Sequence, residues 1–108
     1  ALETVVLVEL ERRRAEVTYV RTADGHEVDF LARHPDGNVE LIQVCAAASG
    51  GDTAQRELRA LAEARRSFPR ATALLLTATT AGLPASVPGG VIAEPAWKWI
   101  LRGAEAGS

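Results

Sequence analysis

Apolar and polar positions along the chain change period several times, and each change marks an element. Residues 2–14, LETVVLVELERRR, set Leu2, Val5, Val6 and Leu10 on one side of a helix drawn at about 100° per residue. Glu9 falls near the middle of that side, while Glu3 and Glu11 fall at its edge or beyond. A carboxylate on a buried stripe needs a partner, a metal or a raised pKa. Glu9 is therefore the most informative charge of this segment; its plain alternative is a partly exposed helix in which Glu9 reaches a neighbouring arginine. Alternation at period two follows. AEVTYVRT (15–22) sets Val17, Tyr19 and Arg21 against Thr18, Val20 and Thr22, and EVDFLARH (27–34) sets Val28, Phe30 and Ala32 against Asp29, Leu31 and Arg33. VELIQVCAA (39–47) is a third strand. ADGH and PDGN separate the three, and an Asp-Gly pair between alternating segments is a strong signal for a tight reversal. An antiparallel meander from Glu16 to Ala47 is expected.

The helical period returns after the loop ASGGD, where Asp52 or Thr53 can cap a helix beginning near Ala54. AQRELRALAEARRSF carries Leu58, Leu61, Ala62 and Arg65 at helical spacing and stops before Pro69. ATALLLTAT (71–79) is continuously apolar, as a strand covered on both faces would be. AGLPASVPGG is a loop, VIAE a short strand, and PAWKWILR a closing helix with Pro95 in its first turn. The order αβββαββα predicts an α/β domain, a central mixed sheet flanked by helices. Trp97 and Trp99 lie about 200° apart on the closing helix, so both cannot face the core; one is expected to anchor the helix and the other to mark a domain contact.

Length and charge narrow the function. The 108 residues make one domain, 1–108, long enough to bury roughly two-thirds of its unfolded surface. No apolar run approaches the roughly 20 residues of a membrane span, and no membrane partner is expected. The absence of an initiator methionine and of a signal-peptide pattern suggests a domain excised from a longer protein. A single cysteine excludes an internal disulfide and fits a cytoplasmic protein. A formal net charge of −2 and a pI near 5.7 argue against strong autonomous nucleic-acid binding. Eleven of the 12 basic residues are arginines, bunched at Arg12–Arg14 and along Arg56, Arg59, Arg65, Arg66 and Arg70. Helix faces with intrahelical partners such as Glu57 and Glu63 are the expected setting for the second group.

The chemistry-bearing residues centre on VDFLARHPDGNVELIQVC (28–45). Gln43 and Cys45 share one face of the third strand, Asp29 can face them from the second, and Glu9 can close the set from the helix. Carboxylates followed by an acid-x-lysine triplet would hold magnesium for phosphodiester hydrolysis: oxygens ligate the ion, and lysine assists the attacking water. Here the triplet is Gln-x-Cys. His26 and His34 have no further ligand at zinc spacing, and SGGDT lacks the G-x-x-x-x-G-K-[S/T] of a phosphate-binding loop.

The ordered set GHEVDF, ELIQVC, TAQRELRAL and PAWKWIL resembles one family, the C-terminal domain of unknown function of bacterial and archaeal AAA-type P-loop ATPases. That domain is similar to the PD-(D/E)XK restriction-endonuclease-like fold, and the resemblance runs from Leu2 to about Leu101. It implies that Glu9 is the helix acid, Asp29 the metal-binding aspartate, Gln43 the first position of the triplet and Cys45 the place of its lysine. A glutamine carbonyl can still meet a hard cation, so Glu9, Asp29 and Gln43 are weak magnesium candidates. Cysteine supplies neither the charge nor a ligand that magnesium favours. The expectation is an accessory ATPase domain with a degenerate nuclease-like site, its three oxygen-bearing residues clustered without a tightly bound metal. ATP would belong to an absent N-terminal domain, which is also the first partner expected, ahead of another protein, a second copy or nucleic acid. The rivals are a magnesium-dependent DNA nuclease and a protein-interaction module.

Overall fold

The computed structural model of the chain describes residues 1–46 and 52–106. Helix α1 (Leu2–Arg12) leads into strands β1 (Glu16–Arg21), β2 (Glu27–Arg33) and β3 (Val39–Cys45). Helix α2 (Asp52–Ser67), β4 (Thr72–Thr77), a 3-10 turn (Thr80–Gly82), β5 (Val91–Pro95) and α3 (Ala96–Ala106) complete the chain. The 3-10 turn is an addition to the expected order. The expected loop around residues 47–51, and the Ala47 end of the third strand, lie outside the described residues.

One five-stranded sheet runs β1-β2-β3-β4-β5. The first three strands pair antiparallel and the last two join in parallel, so β3 is where the sheet changes sense. The Asp-Gly turns form as their sequence dictates: Gly25 and Gly37 take φ of 85° and 93°, values open to glycine at little cost.

Helix α2 covers one face, packing Ala54, Leu58, Leu61 and Ala64 against Val28, Leu31, Leu41, Cys45 and Leu75. Helices α1 and α3 share the other, where Val6, Leu10, Ala96 and Trp99 meet Ala32, Ile42, Val44, Leu74 and Leu76. Strand β4, between these layers, is buried from Ala73 to Thr77, which explains its unbroken apolar run.

Four details depart from the sequence pattern. Val5 is exposed, because the stripe of α1 centres on Val6, Glu9 and Leu10. Ala62 is exposed and Arg65 only half-buried, because the apolar stripe of α2 runs through Ala60 and Ala64 instead. Pro95 ends β5, paired with Thr77, so α3 begins at Ala96. Val28 and Phe30 do not share a face: Val28 and Leu31 point toward α2, Phe30 and Ala32 toward α1 and α3. The cause is a β-bulge. Thr18 pairs with Leu31 and Val20 with Val28, leaving Tyr19 alone opposite both Asp29 and Phe30.

Candidate functional site

The bulge puts Asp29 where a ladder hydrogen bond to β3 would stand, and side chains replace the ladder. Backbone pairing of β2 with β3 runs from Arg33–Val39 to Phe30–Ile42. Beyond it the Asp29 N–H donates to Gln43 Oε1 at 2.8 Å, and the Val44 N–H donates to Asp29 Oδ2 at 2.9 Å. Gln43 Nε2 donates to the Glu27 carbonyl at 3.2 Å. Gln43 thus spans the bulge with both ends of its amide, and it is buried. Burial and the charges of Glu3 and Glu27 raise the Asp29 carboxyl pKa, against the lowering effect of the Val44 N–H.

Cys45, two residues on, is wholly buried on the same face of β3. Its thiol donates to Glu57, which reaches down from α2. Desolvation, reinforced by Asp29 and Glu3, pushes the Glu57 carboxyl up to about 7, while the Cys45 thiol and Arg56 oppose the rise. Glu57 Oε2 is buried without a hydrogen-bond partner. A cavity of about 190 Å³ opens here, lined by His26, Glu27, Gln43, Arg56, Glu57 and Ala60.

The sequence-derived set is therefore partly assembled. Asp29 and Gln43 touch directly, and Cys45 joins them through the shared strand face. Glu9 belongs to another group. Its carboxylate accepts from Arg12 Nε and Nη2 at 2.9 and 2.7 Å and from Arg13 Nε at 2.6 Å. The Arg12 hydrogen bond is the main reason its pKa lies below the usual carboxylate range. Arg13 also stacks on Trp99, 4.2 Å from the ring centre, and donates to the Trp99 carbonyl at 2.8 Å. Glu9 thus fastens the end of α1 to α3, and the acid of α1 whose charge acts on Asp29 is Glu3. Among the described residues no group of three or more His, Cys, Asp or Glu side chains has the geometry to hold a metal ion.

Two acids stand apart from the sequence reading: Glu57, expected to pair with the arginines of α2, faces inward, and Glu94 was not among the candidate residues. Glu57 follows Ala54 by three residues and precedes Leu61 by four, both buried, and that spacing was the available signal for an inward carboxylate. Glu94 is buried at the end of β5 and bonded by Arg102 of α3. A second cavity, about 610 Å³, lies at the Arg12 end of α1 beside Arg12, Arg13, His34, Asp36 and Glu40. Its charges are largely paired among themselves: both arginines on Glu9, and His34 Nε2 at 2.6 Å from Glu40.

Over residues 1–94 the chain matches the family described as a domain of unknown function, DUF4143. The chain belongs to this family. The matched span holds α1, the whole sheet as far as Glu94, and every residue of the Asp29–Gln43–Cys45–Glu57 group; α3 lies beyond it. No curated protein and no solved structure matches this DUF4143 chain. Among the described residues no helix is long and apolar enough to cross a membrane.

Glu57 gives this DUF4143 domain a measurable pH dependence. With a folded pKa of about 7 against 4.5 unfolded, the folded state holds the proton longer. Stability then falls as pH rises from about 4.5 to 7 and levels above that, because the folded state must ionise a carboxyl in a poor environment. Screening at a half-buried group keeps the loss to about 1 kcal/mol. Denaturant unfolding of wild type and Glu57→Gln across pH 5–8 should show the decline in wild type alone. Equal slopes in the two proteins would refute the placement of Glu57.

Proposed function

We propose that this chain is an accessory C-terminal domain of a cytoplasmic P-loop ATPase, with a restriction-endonuclease-like fold whose nuclease site is degenerate and inactive. The observation that carries the reading is the use made of Gln43. Its amide is committed at both ends to the β2 bulge, so the oxygen at this position serves the backbone rather than a cation. Asp29 has one oxygen on the Val44 N–H, Glu9 is held by two guanidiniums, and a thiol stands where catalysis would need a positive charge. This donor set does not fit magnesium, and nothing at position 45 would stabilise charge developing on a phosphate.

The test is direct. Purified protein with magnesium or manganese should leave single- and double-stranded DNA uncut above background. Cleavage by wild type that Asp29→Ala abolishes would overturn the degenerate reading in favour of an active nuclease. Cys45→Lys places an ammonium beside Glu57; its thermal melt establishes folding, and cutting by this variant alone would show that the frame survives and the cation is what was lost. For the ATPase context, the reading frame encoding this chain should carry a G-x-x-x-x-G-K-[S/T] loop upstream. A frame without one removes that part of the proposal.

A further inference from the structure

The pattern of α2 suggests arginines paired within the helix, and the structure turns their partners away. Glu57 points inward to Cys45 and the small cavity. Glu63, one turn from both Arg59 and Arg66, instead lies 2.7 Å from His26 Nδ1 and accepts from the Asp24 N–H at 3.2 Å. The hydrogen bond from His26 is the main reason its pKa is lowered, so it remains a carboxylate committed to the β1–β2 turn. Arg56, Arg59 and Arg66 are all exposed. Within residues 1–46 and 53–104, none of the three lies within salt-bridge distance of a carboxylate.

These side chains project from the outer side of α2, which among the described residues is the one helix on its face of the sheet. Arg56 also lines the small cavity, so the ridge starts at the mouth of the Asp29–Gln43 group. From Arg56 to Arg66 the helix rises about 15 Å, a length over which one strand of a duplex presents about four phosphates. The charge is local. Residues 52–70 hold five arginines and three carboxylates, whereas the remainder holds seven basic and eleven acidic residues. Overall acidity therefore does not describe this face.

We infer that the outer face of α2 binds the phosphodiester backbone of a double-helical nucleic acid, through Arg56, Arg59 and Arg66. Guanidiniums suit phosphate because their planar N–H groups bond two oxygens at once. Residues 52–67 contain no aromatic side chain on which unpaired bases could stack, so the duplex backbone is the better fit than a single strand. Binding of this kind needs no catalysis and stands independently of the inactive-site reading: cleavage tests one, affinity the other.

Fluorescence anisotropy of a labelled 20-base-pair DNA, titrated with the protein at several salt concentrations, tests the inference. Three phosphate contacts give a log–log salt slope of about −3 and about a forty-fold loss of affinity between 50 and 200 mM salt. Arg59→Ala/Arg66→Ala should bring the slope to about −1, Arg59→Lys/Arg66→Lys should restore most of it, and Lys98→Ala, exposed on α3 across the sheet, should change nothing. A duplex RNA arm reports which double helix is held better, and binding of either supports the inference. No binding at 50 mM salt, an unaltered slope in the double alanine variant, or equal competition by polyglutamate would overturn it.

Discussion

Trp99→Ala unfolds the protein at a melting temperature on the order of 15–25 °C below wild type, while Trp97→Ala shifts it by only a few degrees. The two tryptophans stand two residues apart on α3, yet Trp99 is 1% exposed and Trp97 is 53% exposed. Removing the Trp99 ring leaves a void among Val6, Leu10, Ile42, Val44, Leu74 and Leu76, at a cost of about 3–5 kcal/mol. It also takes away the ring on which Arg13 stacks, leaving the guanidinium tied to Glu9 with only its hydrogen bond to the backbone carbonyl of residue 99. For a domain of this size each kcal/mol lowers the midpoint by about 4–8 °C. Circular-dichroism melts of the two variants decide the matter, and comparable shifts would contradict the packing described for α3.

Gln43→Met is the second large effect, expected to remove about 1–3 kcal/mol despite preserving the shape of the side chain. The substitution strands the Asp29 N–H and the Glu27 carbonyl, which no ladder bond satisfies at the bulge. A buried backbone group without a partner costs about 1–3 kcal/mol; Asp29 is half-buried and Glu27 exposed, so water offsets part of that cost, chiefly at the Glu27 carbonyl. Urea unfolding measures it. A loss under about 0.5 kcal/mol would mean that the bulge does not depend on Gln43, and the reading of this residue as structural would fall with it.

The meander was legible because its signals are local: two Asp-Gly turns and three short segments between them. The bulge was not, since counting alternate residues assumes one-for-one pairing, and a single extra residue opposite Tyr19 puts Val28 and Phe30 on opposite faces. Glu9 was correctly marked as a buried charge, but the pattern could not rank a distant site above the arginines three and four residues on. Glu57 was hidden by its neighbours. Lying between Arg56 and Leu58, it was assigned to an exposed ion pair, although its spacing from Ala54 and Leu61 placed it toward the sheet. Asp29 and Gln43 come together as their strands require, but alternation carries no sign that Gln43 is spent on the backbone of residues 27 and 29 and Asp29 on the Val44 N–H.

The order of the strands in space is their order in the chain. Nothing synthesised later has to be inserted between strands already paired, so the sheet can lengthen from one edge as the polypeptide emerges, each strand docking on its predecessor. The two hairpins close over short turns and can form first, whereas β4 must wait for α2 to cross the sheet. Pulse-labelled amide exchange during refolding should therefore find the β2–β3 amides protected before those of β4 and β5.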